Sequence, residues 1–313
     1  MSYSSDVKKE LANISADDCC LKAELYAIIK FKGKLKISFG GLGISIETTL
    51  NALARRIVFL FKKLYNLKLD IIAMKQQKLD KKTIYVLDVS NVTNVLIDLK
   101  ILNEDLSFNE NLNYHLFKND CCKSSVVRGA FLVQGSINDP DKSNYHLEIT
   151  VTEEEDAKFL KSILEEVLIY PKIILRKKGY VIYLKKSEQI GDFLKFVGAI
   201  NCLFSFEDNR IKRDYSNYVN RIINCDIANE EKAMKSAQKQ IKHIQYIQKY
   251  YGYAKLSQRL LDAIMLRSKY PEYSLSALSE ESLEVTGRMI SKSGLSHCFK
   301  DLEKLYLEVK AKK

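Results

Sequence analysis

No uninterrupted apolar run in the 313-residue sequence approaches the ~18 residues that span a bilayer. A membrane protein built on apolar helices is therefore not expected. The first ten residues, Met1 to Glu10, are polar and charged, which speaks against a secretory signal and for the cytoplasm. No Cys-x-x-Cys pair occurs, and the histidines are only four: His115, His146, His243 and His297. A structural zinc site has little spacing signal to rest on, and neither a metal nor a cofactor is expected. The seven cysteines of an intracellular chain read as small apolar groups rather than a disulfide framework. Cys19-Cys20 and Cys121-Cys122 are the close pairs, and adjacent cysteines seldom share one ion.

What is present is an ordinary globular balance, 46% apolar and 28% charged, in a chain long enough for two or three domains. Lys and Arg exceed Asp and Glu by 50 to 39, and the excess is uneven. Residues 206–313 carry 20 basic and 14 acidic side chains, and residues 1–205 carry 30 and 25. More than half of the positive excess thus sits in the last third. Such a field favours polyanions and suits nucleic acid, whose affinity is driven by counterion release.

The first two thirds contain an internal repeat. DCCLKAELYAIIKFKG, from Asp18 to Gly33, aligns without a gap with DCCKSSVVRGAFLVQG, from Asp120 to Gly135, at an offset of 102. Both segments have helical apolar spacing and both stop at glycine. Strands are expected at Lys34–Phe39 and Ile44–Thr48 in the first half and at Tyr145–Val151 in the second, where a turn at Asn138-Asp139-Pro140-Asp141 precedes the strand. Helices at about 49–66 and 153–168 follow. Strand pairs come next, Lys68–Lys75 with Thr83–Val89 and Lys172–Arg176 with Tyr180–Leu184, then helices Val92–Leu102 and Glu188–Ile200. The order is αββαββα, twice, which defines an α+β domain of two pseudo-symmetric lobes, 1–110 and 111–205. Ala23 and Ala27 on the first repeat helix match Ser125 and Gly129 on the second. Small residues four apart share a face and let two backbones approach, so these positions predict the seam between the lobes.

The remainder reads as helix and turn. A linker is expected over 206–228 and an all-α domain over 229–313, with Asn229 capping a helix that runs to Tyr251. That helix has an apolar stripe at Ala233, Ala237, Ile241, Ile244 and Ile247, with Lys232, Lys235, Lys239 and Lys242 mostly off it. Ser257 begins another helix. Ser274 caps a short one, Leu275–Glu281, and a loop with Gly287 leads into a last helix from about Ser293 to Lys310. On that helix Leu295, Phe299, Leu302, Leu305, Tyr306 and Val309 form one side, with Ser293, His297, Lys300 and Lys304 opposite. A short helix, a turn and a helix with a polar, basic face is helix-turn-helix organisation. The candidate DNA contacts are Ser274, Lys292, Ser293, Ser296, His297, Lys300 and Lys304.

Paired helices at the junction of two αββαββα lobes resemble the LAGLIDADG homing endonucleases. That resemblance implies an acidic residue before each helix-terminal glycine, where two carboxylates hold a divalent cation at the DNA. Here those positions hold Lys32 and Gln134. Neither supplies an anionic oxygen, so nuclease activity is not expected, and Asp139 nearby reads as turn chemistry. A longer resemblance, nearly end to end, is to the WhiA family of bacterial regulators. It rests on Ser2 to Leu11, the two repeat helices, Arg128 to Leu132, Gly135 to Pro140, Tyr145 to Ile149, Asn220 to Asp226 with Ala228-Asn229, and Ser291 to Leu295. The resemblance implies a degenerate LAGLIDADG-like domain followed by a helix-turn-helix domain. It further implies binding to promoter regions of double-stranded DNA, roles in transcription regulation, sporulation, cell division and chromosome segregation, association with the nucleoid, and room for another regulatory protein as partner. Neither a membrane nor a small-molecule substrate is implied. The chain departs from the family pattern in its last helix: Ser296 stands where asparagine is usual, and Cys298 and Lys300 stand at arginine positions. Two rival functions stay open at this point, an endonuclease with relocated metal ligands and a protein-interaction module whose basic charge is incidental.

Overall fold

The computed structural model describes residues 2–38, 41–75, 83–109, 117, 119–142 and 144–312. Phe39, His115 and the expected boundary at 110/111 lie outside them. The described residues divide into two compact units, 1–213 and 214–313.

The first unit holds the two lobes. Each is a four-stranded antiparallel sheet of the same topology, β1-β2-β4-β3 and β5-β6-β8-β7. The strands are β1 (Lys34–Ser38), β2 (Gly41–Thr48), β3 (Asp70–Lys75) and β4 (Thr83–Val89), then β5 (Gly135–Ile137), β6 (Leu147–Val151), β7 (Lys172–Arg176) and β8 (Gly179–Leu184). Period-two alternation sets which face is buried. Ile44 and Ile46 face the core opposite Val89 and Leu87, and Ile149 does so opposite Ile182. Helices α2 (Asp18–Lys32), α3 (Asn51–Tyr65) and α4 (Thr93–Asp98) serve the first lobe. Helices α5 (Asp120–Gln134), α6 (Glu154–Glu166) and α7 (Ser187–Val197) serve the second. The α+β, pseudo-two-fold architecture is as the repeat predicts, with a helical region after it.

Two local features differ from the expectations. Tyr3–Leu11 is a helix, α1, capped by Ser2, whose hydroxyl accepts from the Ser5 amide at 3.3 Å. It buries Val7 and Leu11, but two apolar positions in nine residues are too few to show a period. Gly135–Ile137 is a strand before the turn, three residues long and thus below the length at which alternation is legible. The turn itself forms as expected, with the Asp139 carboxylate accepting from the Asp141 amide at 3.1 Å.

The largest difference concerns 206–228. Instead of a linker it is part of one 51-residue helix, α8 (Ile200–Tyr250), and Asn229 is interior to it rather than a cap, its amide directed at Cys225 Sγ, 3.7 Å away. Neither glycine nor proline occurs between Gly198 and Gly252, so nothing breaks the helix, although its polar composition and asparagines suggest a loop. Gly198, at φ +91°, takes the left-handed turn that separates α7 from α8.

The second unit packs the end of α8 with α9 (Gln258–Lys269), α10 (Leu275–Glu280), α11 (Ser282–Thr286) and α12 (Lys292–Ala311). Its core is Ile244, Ile247, Ala263, Ile264, Leu266, Leu278, Leu295, Cys298, Phe299 and Leu302. Among the described residues no helix is long and apolar enough to cross a membrane.

Candidate nucleic-acid interface and the seam between the lobes

Helices α2 and α5 lie side by side at the centre of the first unit. A Cβ added to Gly129 would stand 2.6 Å from the Glu24 carbonyl oxygen and 2.9 Å from Ala27 Cβ, so only glycine permits this approach. Ala23, Ala27 and Ser125 are buried with it, the Ser125 hydroxyl donating to the Cys121 carbonyl at 2.8 Å. The predicted seam residues are therefore brought together on one interface.

A charged cluster that the spacing argument misses crosses this seam. Glu24, fully buried, receives Arg56 Nε at 2.7 Å and Arg56 Nη2 at 2.9 Å, and Arg128 Nη1 lies 3.5 Å away. Arg56 also donates to the Ile14 carbonyl at 2.8 Å and Arg128 to the Val197 carbonyl at 2.9 Å. Burial pulls the Arg128 guanidinium below its ordinary pKa, against the opposing pull of Glu24. The available signal was a charge set inside an apolar helix, Glu24 between Ala23 and Leu25 and Arg128 between Val127 and Gly129.

At the C-terminal end of the paired helices, Lys32 and Gln134 are each the last helical residue. The Gln134 amide donates across the seam to the Phe31 carbonyl at 3.1 Å. Lys32 lines an open cleft of about 560 Å³ with Lys8, Ser4, Ser5, Glu47 and Thr48. Burial, helped by the charge of Lys32, brings the Lys8 ammonium from 10.5 down to about 8. Two ammonium groups thus occupy the end of the seam at which two carboxylates would be needed for a hard divalent cation. The depressed Lys8 value has a stability consequence with a definite sign. Between about pH 8 and 10.5 the unfolded chain binds more protons than the folded one, so the penalty of holding Lys8 charged is fully present below pH 8 and vanishes as pH rises through 10.5. Lys8→Met is expected to raise the unfolding midpoint at pH 7 by about 2–4 °C and to converge on the parent by pH 10.5. A difference between the two melting curves that stays constant across that window contradicts this assignment.

The solvent face of the first lobe's sheet is charge-balanced. Lys34 pairs with Glu47 at 2.9 Å and Lys36 with Asp88 at 2.7 Å, and those lysines hold both carboxyls below the usual carboxylate range. In the second lobe Arg176 Nη1 and His146 Nε2 both reach Glu148 Oε2, at 3.3 and 3.0 Å.

Helix α12 carries a different pattern. Ser291 caps it, accepting from the Gly294 amide at 3.2 Å, so it begins at Lys292, a residue before the expected start. Leu295, Cys298, Phe299 and Leu302 are buried, whereas Lys292, Ser293, His297, Lys300 and Lys304 are exposed. Residues 293, 297, 300 and 304 follow the spacing of one helix face. Two of the three acids on α12 are engaged elsewhere: Asp301 with Arg259 at 3.1 Å and Glu303 with Lys239. Lys292, Lys300 and Lys304 have no carboxylate partner among the described residues. Two candidate residues stand apart from this face. Ser296 is half-buried, and the Ser274 hydroxyl is committed to capping α10, accepting from the Ala277 amide at 3.2 Å. Cys298, at an arginine position of the resembling family, points inward, its Sγ 3.7 Å from the Arg259 carbonyl. The loop before Ser291 contains the short helix α11, which its sequence did not announce.

The two lobes with paired central helices and the helical bundle with a short-helix, turn and long-helix order define a LAGLIDADG-like protein carrying a helix-turn-helix domain. Family models agree along almost the whole chain: the WhiA N-terminal LAGLIDADG-like domain matches residues 18–102, the WhiA LAGLIDADG-like domain residues 123–216 and the WhiA C-terminal HTH domain residues 219–306. The chain is 40% identical over 306 residues to the probable cell division protein WhiA of Bacillus subtilis strain 168, covering 97% of this chain and 96% of that one. It is 39% identical over 312 residues to the corresponding Bacillus cytotoxicus protein, covering 99% and 98%. The fold is also that of the crystal structure of full-length DUF199/WhiA from Thermatoga maritima, with a TM-score of 0.58 at 24% identity, covering 98% of this chain and 99% of that one. The chain belongs to the WhiA family.

Proposed function

We propose that this protein is a sequence-specific double-stranded DNA-binding transcription regulator without enzymatic turnover, acting at promoter regions in the service of cell division. The observation that carries this reading is the contrast between two surfaces. Ser293, His297, Lys300 and Lys304 share an exposed face of α12 whose lysines have no carboxylate partner among the described residues, whereas the sheet lysines Lys34 and Lys36 are neutralised in place. A helix whose first turn offers free backbone N–H groups beside Lys292 and Ser293 is suited to phosphate, and His297 and Lys300 lie further along the face that would enter a major groove. A lysine at 300 keeps a phosphate charge but not the bidentate fork that reads guanine, so specificity falls more on Ser293, His297 and groove shape. The cell-division role follows the names of the Bacillus relatives. Roles in sporulation and chromosome segregation, a second regulatory protein as partner, and a cytoplasmic, nucleoid-associated location belong to the same proposal.

Lys32 and Gln134 at the positions where LAGLIDADG endonucleases carry metal carboxylates support the absence of turnover, since an ammonium repels a divalent cation and the Gln134 amide is already used across the seam. The test is a salt titration of full-length protein on bound promoter fragments. With Lys300 and Lys304 both changed to Ala, the slope of log affinity against log salt is expected to shallow by about 1.8, or 0.9 per lost phosphate contact. An unchanged slope excludes these lysines from the phosphate backbone. Nicking of supercoiled DNA by repurified protein with Mg²⁺ or Mn²⁺ would restore the endonuclease as the better reading.

A further inference from the structure

The opposite end of the seam from Lys32 and Gln134 gathers four thiols. Cys19 and Cys20 begin α2, and Cys121 and Cys122 begin α5. The four Sγ atoms all lie within 4.8 Å of one another, with Cys19 and Cys20 at 3.9 Å. Cys20 and Cys122 are buried, Cys19 and Cys121 are exposed, and all four are free thiols. Across the seam Cys20 lies against Cys121 and Cys122 against Cys19. Four sulfurs gathered this closely, from two segments a hundred residues apart in sequence, are not the usual environment of thiols that merely pack.

We propose that Cys19, Cys20, Cys121 and Cys122 form a mononuclear four-thiolate site for Zn²⁺ that ties the two lobes together at the N-terminal end of their paired helices. A tetrahedral ion with Zn–S bonds of about 2.3 Å sets its sulfurs about 3.8 Å apart. None of the observed separations exceeds 4.8 Å, about an ångström above that spacing. A multi-iron cluster, whose thiolates bind different irons, spreads its sulfurs more widely and does not suit this spacing. The ligand set is soft, which favours zinc over the hard cations of a nuclease centre. Two helix N-termini point their partial positive charge at the thiols and favour the thiolate form that a metal requires. Only thiolates ligate the ion, so binding displaces protons. The exposed Cys19 and Cys121 leave an entry path. The sequence argument against zinc weighed each adjacent pair alone; the tertiary pairing of α2 and α5 puts two pairs around one point.

The full chain, purified with reductant and without chelator, is expected to contain one zinc ion per molecule. Exchange for Co²⁺ should produce sulfur-to-cobalt charge transfer and the visible bands of a tetrahedral site. Cys19→Ser and Cys121→Ser, chosen because these side chains are exposed and spare the core, should each weaken Co²⁺ affinity at least about tenfold and abolish the four-thiolate spectrum. Cys225→Ser, an exposed cysteine outside the cluster, should leave it intact. Chelation should lower the unfolding midpoint of the parent but not of the Cys19→Ser, Cys121→Ser double variant. Absence of both bound zinc and a cobalt spectrum overturns the proposal. So does a spectrum insensitive to those two variants, or the recovery of Cys19–Cys122 or Cys20–Cys121 disulfides under the same reducing conditions.

Discussion

Changing Glu24 to Gln is expected to lower the stability of the lobed unit by about 3–5 kcal/mol, because it leaves two buried guanidinium groups with no counter-charge. Arg56 and Arg128 are 5% and 7% exposed, and among the described residues Glu24 is the carboxylate that pairs with both. At the size of this unit that loss corresponds to a fall of roughly 8–15 °C in the unfolding midpoint, measurable by calorimetry. The effect should reach beyond one lobe. Glu24 belongs to α2, Arg56 to α3 and Arg128 to α5, so the cluster couples the helices on both sides of the seam. Replacing all three residues by leucine should recover part of the loss, since no charge is then buried unpaired, but not all of it, because the Ile14 and Val197 carbonyls lose their donors. A Glu24→Gln protein that melts with the parent would show that the cluster contributes nothing to holding the lobes.

In the helical unit the corresponding keystone is Arg267, which should cost about 2–4 kcal/mol when changed to Met. The residue is 1% exposed and its guanidinium has no carboxylate partner among the described residues. It donates instead to Gln240 Oε1 at 3.0 Å and to the carbonyls of Tyr270, Pro271 and Tyr273 at 3.3, 3.4 and 2.6 Å, and lies 5.4 Å from the Phe299 ring centroid. Burial draws its pKa down to about 10, which leaves it charged at neutral pH. These bonds hold α8, the turn before α10 and the buried side of α12 in one arrangement. Arg267→Met removes the bonds that shape the entry to α10 and leaves several carbonyls unsatisfied. Arg267→Lys should not rescue it, because a single ammonium cannot reproduce the fork. The expected readout is twofold: a lower unfolding midpoint for the helical unit, and DNA affinity reduced at temperatures where the parent still binds. Full affinity and an unchanged midpoint in Arg267→Met would show that the turn holds its shape without the guanidinium.

Much of this protein is legible in its sequence, and for a physical reason. Periodicity reports which face of an element is buried, so the strands around Ile44, Ile46 and Ile149 and the helices at 51–65 and 154–166 are recognisable from local spacing. The duplicated DCC segment announces the two lobes, and the small residues Ala27 and Gly129 mark where their helices touch. The face of α12 is legible for the same reason, since Leu295, Phe299 and Leu302 sort from His297, Lys300 and Lys304 by angle alone. Where local signals were sparse, the reading failed: α1 and β5 were too short to show a period, and 206–228, expected as a linker, continues α8 because neither glycine nor proline interrupts it.

Sequence alone settled the repeat, the α+β lobes and the polar face of the last helix, because each is written in the order and spacing of residues along the chain. Only the folded chain decided that Glu24 shares its charge with Arg56 and Arg128, that the sheet lysines are neutralised by Glu47 and Asp88, and that two unpromising cysteine pairs converge. Those outcomes depend on distances between segments far apart in sequence, and such distances are set by packing, which no local pattern encodes.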